Sequence, residues 1–270
     1  MICFPGAKIN IGLNILSKRD DGFHNIETIF YPIPYSDILE IIPSEKDIPV
    51  IETSGLELNI DNNDNICLKA FRLLQTKYKF PCAEIYLHKI IPSGAGLGGG
   101  SSDAANTLKL LNNLFKLEIS DEELKIYAAR LGSDCAFFIE NKPSFAYGRG
   151  ELLEPVELDL GVYYIYLIKP QVFVSTADAY KSVHCSKPIK SLKELILEPI
   201  DTWHELIFND FERNIFHQFP LLSQIKNDFY QAGAVYAAMS GSGSSVYGLF
   251  NQKPEVLMKY SKEIYWISKL

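Results

Sequence analysis

Between Pro92 and Ala105 the chain reads Pro-Ser-Gly-Ala-Gly-Leu-Gly-Gly-Gly-Ser-Ser-Asp-Ala-Ala, with five glycines between Gly94 and Gly100. No other stretch constrains the fold as strongly. Glycine admits positive φ and lets a ligand approach the backbone without meeting a Cβ. Ala104, Ala105, Leu108, Leu110, Leu111 and Leu114 follow at helical spacing. A helix N-terminus directly after such a loop offers unpaired N–H groups and the positive end of a dipole. Together these make an anion site, most economically one for phosphate. A strand-like alternation over 83–91 leads into the tract, which sets it apart from a flexible linker.

Three phosphate-loop templates compete. The Walker A pattern needs Lys and then Ser or Thr after its last glycine, but Ser101 follows Gly100. The dinucleotide pattern G-x-G-x-x-G fits Gly94, Gly96 and Gly99. It also wants an acidic residue at the end of the next strand, and Glu118 follows a helical run instead. The third template, Pro-x-x-x-Gly-Leu-Gly-x-x-Ser-Ser, fits Pro92 through Ser102.

With 270 residues the chain can bury a sizeable core, and two domains are expected. A net charge of −7 without any basic cluster argues against nucleic-acid or membrane-surface binding. The five cysteines are scattered and lack zinc spacing, as expected of reduced thiols in a cytoplasmic protein. Lys8, Asn10 and Asn14 interrupt any signal-peptide pattern, and the apolar run 162–168 is too short to span a bilayer.

Strands are expected over 2–16, 26–31, 37–42, 83–91 and 158–169, and helices over 66–78 and 121–131. Lys8 and Asn10 fall on the polar face of the first strand, where the pattern favours a solvated role. Residues 45–65 and 184–200 read as polar connections. Asn65 suits a helix N-cap, Ser120 with Glu123 a capping box, and Ser175 or Thr176 the cap of a helix carrying Tyr180. Gly132 ends one helix, and Asp134 beyond it suits a turn. Gly148-Arg149-Gly150 marks another turn. Helices are expected over 204–211, 221–232 and 254–267, with a Gly/Ser-tipped hairpin at 235–250.

The loop Pro92–Ser102 resembles the second motif of the GHMP kinases. The opening Ala7-Lys8-Ile9-Asn10 and the stretch Arg19-Asp20-Asp21-Gly22-Phe23-His24 resemble the branch of that family that phosphorylates 4-diphosphocytidyl-2-C-methyl-D-erythritol on its 2-hydroxyl, in the non-mevalonate route to isoprenoid precursors. The 239–248 turn resembles the family's third motif, so that three motifs stand in order at residues 6–24, 92–105 and 239–248, and Gly132-Ser133-Asp134 resembles the family segment in which the Asp is the base. The chain departs from the family at Phe23, usually Tyr, and at Cys135-Ala136, usually Val-Pro.

The resemblance implies an α+β protein with the two-domain GHMP kinase fold. A ribosomal-S5-like ATP-binding domain would span 1–155 and a ferredoxin-like domain 156–270, with the active site in the cleft between them. It implies that Lys8 and Asp134 are catalytic, Asp134 as the base. ATP would be bound by Asn65, Pro92, Gly94, Ala95, Gly96, Leu97, Gly98, Gly99, Gly100, Ser101 and Ser102. The cytidine substrate would be bound by Asn10, Phe23, His24 and Tyr180, and ordinary packing is an equal account of Tyr180. Mg²⁺ would accompany ATP, within reach of Ser101 or Ser102 and without an acidic protein ligand; Asp103 is expected to serve the helix dipole. The expected partners are small molecules only, with no nucleic acid and no membrane, in a monomer or homodimer. A kinase of the same superfamily for mevalonate, homoserine or a sugar would share the loop but not the Asp-Gly-aromatic-His stretch. A noncatalytic nucleotide-binding module would need neither Lys8 nor Asp134.

Overall fold

The computed structural model of the chain describes residues 1–58, 61–181, 183 and 185–270. The readings of residues 59–60 and 184 as polar connection lie outside the described residues. The chain forms two compact units that interleave in sequence. The first comprises residues 1–7, 35–93 and 98–142, and the second residues 8–34, 94–97 and 143–270.

The first unit carries a four-stranded sheet in the order Ile2–Cys3, Ile38–Pro43, Ala83–Lys89, Val50–Gly55. The last pair is parallel and the others antiparallel. Ala83, Ile85 and Leu87 alternate into the core, as period-2 strand geometry requires. Lys89 follows in the same phase and is buried with them. Helices Ile66–Gln75, Gly99–Phe115, Asp121–Leu131 and the short Phe137–Glu140 belong to the same unit. The strand Val50–Gly55 lies inside the stretch read as polar connection. It is an edge strand from Glu52 onward exposed, so its residues carry little apolar signal.

The second unit holds two four-stranded sheets. One orders Gly6–Lys18, His24–Ser36, Ser144–Gly148, Leu152–Pro155; the other orders Tyr236–Met239, Val246–Phe250, Tyr164–Lys169, Ile264–Lys269. Tyr164–Lys169 is an interior strand with Ile165 to Ile168 all buried, hence its unbroken apolar run. Helix Pro220–Gln231 adds Leu222, Ile225 and Phe229 to the same core as Tyr166 and Ile168.

Two further elements and two side chains differ from expectation. Residues 254–267 form no long helix; a 3₁₀ turn Met258–Tyr260 precedes the strand Ile264–Lys269, which pairs with Tyr164–Lys169. Its Ile-Tyr-Trp-Ile run suits a strand better than a helix once a partner edge is present. The helix expected over 204–211 stops at Leu206, and another runs Glu212–Gln218. Between them buried Asn209 donates to the carbonyls of Met239 and Gly241 and accepts from Phe211 N–H. An Asn that satisfies backbone groups in this way competes with continuing the helix. Lys8 and Asn10 are each 3% exposed rather than solvated.

Candidate active site

Within the second unit the first, second and third motifs meet. Lys8 donates from Nζ to the carbonyl of Gly96 at 3.1 Å and to Asn10 Oδ1 at 2.5 Å. Its backbone N–H bonds the Leu97 carbonyl. Ser240, at the start of the 240–245 turn, donates from Oγ to the same Gly96 carbonyl at 2.8 Å, and Ser245 N–H reaches Ala95 O. Gly96 has φ +76°, and a Cβ there would stand 2.0 Å from the Ser240 carbonyl oxygen, so only glycine fits. Gly94 (φ +62°) abuts the ring of Phe173.

Asn10 is engaged through both its side chain and its backbone. Besides accepting from Lys8, it donates from Nδ2 to Thr28 Oγ1 at 3.0 Å and from N–H to Ser240 Oγ, and its carbonyl accepts from Tyr247 OH. The Lys8 ammonium also stands 4.9 Å from the Phe30 ring centroid. These contacts hold a buried cation against the glycine loop with its stem packed and its donors aimed.

Elsewhere in this unit His24 stacks on Tyr180 with ring centroids 4.9 Å apart and an 18° interplanar angle. Tyr180 meets Phe211 edge-on. Burial and the nearby Lys18 lower the pKa of His24, so its imidazole is neutral at neutral pH. Such a ring can both donate and accept hydrogen bonds. Phe23 is exposed, with the Arg149 guanidinium 5.0 Å over its ring.

Within the first unit Gly98 (φ +70°) is the N-cap of helix Gly99–Phe115 and supplies no side-chain cap bond. The N–H groups of the first turn therefore lack the usual capping acceptor. Pro92 is buried just before the loop, Ser102 is buried in the helix, and Gly100 is exposed. Asn65 caps helix Ile66–Gln75 by accepting from Cys67 N–H at 2.9 Å. Asp134 lies in the turn between Gly132 and helix Phe137–Glu140. Next to it, burial pushes the Cys135 thiol up to about 12, against a hydrogen bond with Ser101. Lys8 and Asp134 thus belong to different units.

Sequence reasoning passed over several supporting residues. Glu212 is buried, accepts from Met239 N–H at 2.7 Å and pairs with Lys226, so with Asn209 it anchors the strand leading to the Ser240 turn. Asp103 does not serve the helix N-terminus. It lies one turn in, buried and paired with Lys89 at 2.6 Å. The strand phase of Ala83, Ile85 and Leu87 carried the one signal for Lys89.

A glycine loop braced by a buried lysine and a serine hairpin, leading into an open helix N-terminus, belongs to the GHMP class of kinases. The family pattern "GHMP kinases N terminal domain" matches residues 65–142, and "GHMP kinases C terminal" matches residues 191–259. A 4-diphosphocytidyl-2-C-methyl-D-erythritol kinase of Bacteroides fragilis is 53% identical over 258 residues, covering 95% of this chain and 94% of that protein. One of Cytophaga hutchinsonii is 47% identical over 265 residues, covering 98% and 97%. The crystal structure of a 4-(cytidine 5'-diphospho)-2C-methyl-D-erythritol kinase superposes with a TM-score of 0.80 at 28% identity, covering 99% of this chain and 98% of that one. The chain belongs to the 4-diphosphocytidyl-2-C-methyl-D-erythritol kinase family.

Proposed function

We infer that the chain transfers the γ-phosphoryl group of ATP to the 2-hydroxyl of 4-diphosphocytidyl-2-C-methyl-D-erythritol, a cytoplasmic step of the non-mevalonate isoprenoid pathway. The observation that carries this reading is the Gly96 carbonyl, which receives hydrogen bonds from both Lys8 Nζ and Ser240 Oγ and so ties three motifs to one loop. Relatives that share most of the chain's length supply the substrate. Residues 1–155 would carry ATP binding, and residues 156–270 would add to the substrate site.

Phosphoryl transfer is mostly positioning and charge stabilisation. The N–H groups from Gly94 to Ser102 hold the triphosphate, with Asn65 beside the base. Lys8, kept in place by Asn10 and Phe30, stabilises charge on the transferring group. Asp134 receives the proton of the attacking hydroxyl. His24 reads the cytosine edge, and Phe23 and Tyr180 supply aromatic faces. The His24–Tyr180 stack leaves no room for a base between the two rings, so this reading has the base on an outer face of the pair.

Among the described residues no group of three or more His, Cys, Asp or Glu could hold a metal ion. Of the two serines expected to reach Mg²⁺ on the nucleotide phosphates, half-buried Ser101 suits a hydroxyl ligand, whereas Ser102 is fully buried. The ion would neutralise charge on the phosphates.

The test is a kinase assay with the cytidine substrate, ATP and Mg²⁺, alongside mevalonate and homoserine. Phosphorylation of the cytidine substrate alone is expected. His24→Ala should lower its kcat/KM by roughly 10²-fold or more, because a site built to hydrogen-bond a base is left with unpaired groups. ATP binding should be unchanged. An unaltered kcat/KM in His24→Ala would remove His24 from the substrate site.

A further inference from the structure

The buried charges around Lys89 take no part in the chemistry above. Lys89, Asp37 and Asp103 are each 3% exposed or less. The Lys89 ammonium donates to Asp37 Oδ2 and, at 2.6 Å, to Asp103 Oδ2. Asp37 Oδ1 accepts from the backbone N–H groups of Ile90 and Ile91 at 2.5 and 2.8 Å. Asp103 Oδ1 is buried without a hydrogen-bond partner. Asp37 thus holds the chain where it leaves the strand Ala83–Lys89, and Asp103 holds the helix Gly99–Phe115 near its start. Lys89 joins the two, and the glycine loop is the chain between them.

Such a set is a poor source of stability. Desolvation of buried charges consumes most of their attraction, and hydrophobic replacements are often neutral or stabilising. An unpartnered buried oxygen adds to the cost. Burial pushes the Asp103 carboxyl up to about 7, with Lys89 acting against the shift and Asp37 with it. The pKa of Lys89 is also raised: burial acts to lower it, but the two carboxylates outweigh that. The two shifts thus have different causes, burial for Asp103 and the paired carboxylates for Lys89.

We propose that Asp37, Lys89 and Asp103 are positioning residues that fix the two stems of the glycine loop, and thereby the spacing at which its N–H groups meet a triphosphate. This rests on the ATP-binding reading. Asp103→Leu is the informative variant, because it cuts the tie to the helix and leaves Lys89 and Asp37 as a neutral pair. Asp103→Asn keeps an oxygen for Lys89.

Calorimetry with a non-hydrolysable ATP analogue comes first on the wild-type protein; no binding there would sink the ATP reading and this one together. Given binding, Asp103→Leu should weaken it roughly tenfold or more, with thermal unfolding little changed. KM for ATP should rise in step while kcat at saturating ATP stays near wild type. Asp103→Asn should restore affinity to within about threefold of wild type. A folded Asp103→Leu with wild-type affinity overturns the proposal, as does an Asp103→Asn no better than Asp103→Leu. If Asp103→Leu does not fold, Asp103→Ala replaces it and is held to the same criteria; failure of both to fold makes the triad a matter of stability alone and equally overturns it.

Discussion

Gly100 is the loop glycine whose replacement reports on ligand alone. A Cβ at Gly99 would meet Ile91 Cγ2 at 2.8 Å, and one at Gly96 would strike backbone, so those variants disturb the protein itself. A Cβ at Gly100 meets nothing within 4 Å. Side chains in a helix lean toward its N-terminus, which the proposed function makes the anion site. Gly100→Val should therefore unfold like wild type yet bind ATP at least roughly tenfold more weakly by calorimetry; unchanged affinity would take the first turn out of the site. At Asp103 the prediction concerns pH. Burial raises its pKa from 3.8 to about 7 in the folded chain. The folded state then prefers the protonated form, so the contribution to stability is full below pH ~4 and is lost as pH rises to ~7. Denaturant unfolding should find Asp103→Asn gaining on wild type across that window and level above it. Lys89 was legible as a buried phase position, but its partners were not, because Asp37 is brought beside it only by the pairing of Ile38–Pro43 with Ala83–Lys89.

At the scale of elements, local signals held where a cap or glycine decides the backbone. Asn65 and Ser120 cap the helices they precede, and Gly132 follows the second. The Ser120 box is only half formed. Its Oγ accepts from Glu123 N–H at 3.3 Å, while the Glu123 carboxylate is taken by Lys77, Tyr78 and Tyr127. Ser120→Ala should cost about 1 kcal/mol, read as a lower denaturant midpoint at constant m-value. Elements defined by distant partners were less legible. The strand Ile264–Lys269 and the edge strand Val50–Gly55 exist through their pairing, which no local period reports. The helix break at Asn209 depends on carbonyls some thirty residues away in sequence.

At the scale of the whole molecule, the proposed reaction calls on residues of both compact units. Lys8 falls in the second compact unit and Asp134 in the first, and the glycine loop changes unit at Gly94 and again at Gly98. The reading assigns both side chains to one transfer step, which makes their coupling measurable. Asp134→Asn removes a proton acceptor while keeping its shape, and should lower kcat by roughly 10²–10⁴-fold. Lys8→Met removes the ammonium but keeps the stem, and the Gly96 carbonyl retains its bond from Ser240 Oγ. It should lower kcat by a comparable factor through loss of charge stabilisation. If both act on one hydroxyl and one phosphoryl group, the double variant should be little worse than either single one, since residues that act as a unit are far from additive. Independent roles would instead multiply the two losses. Single-turnover transfer with the cytidine substrate distinguishes these cases, because it isolates chemistry from product release. A near wild-type rate in Asp134→Asn would overturn the assignment of the base, and multiplicative losses would separate Lys8 from the step that Asp134 serves.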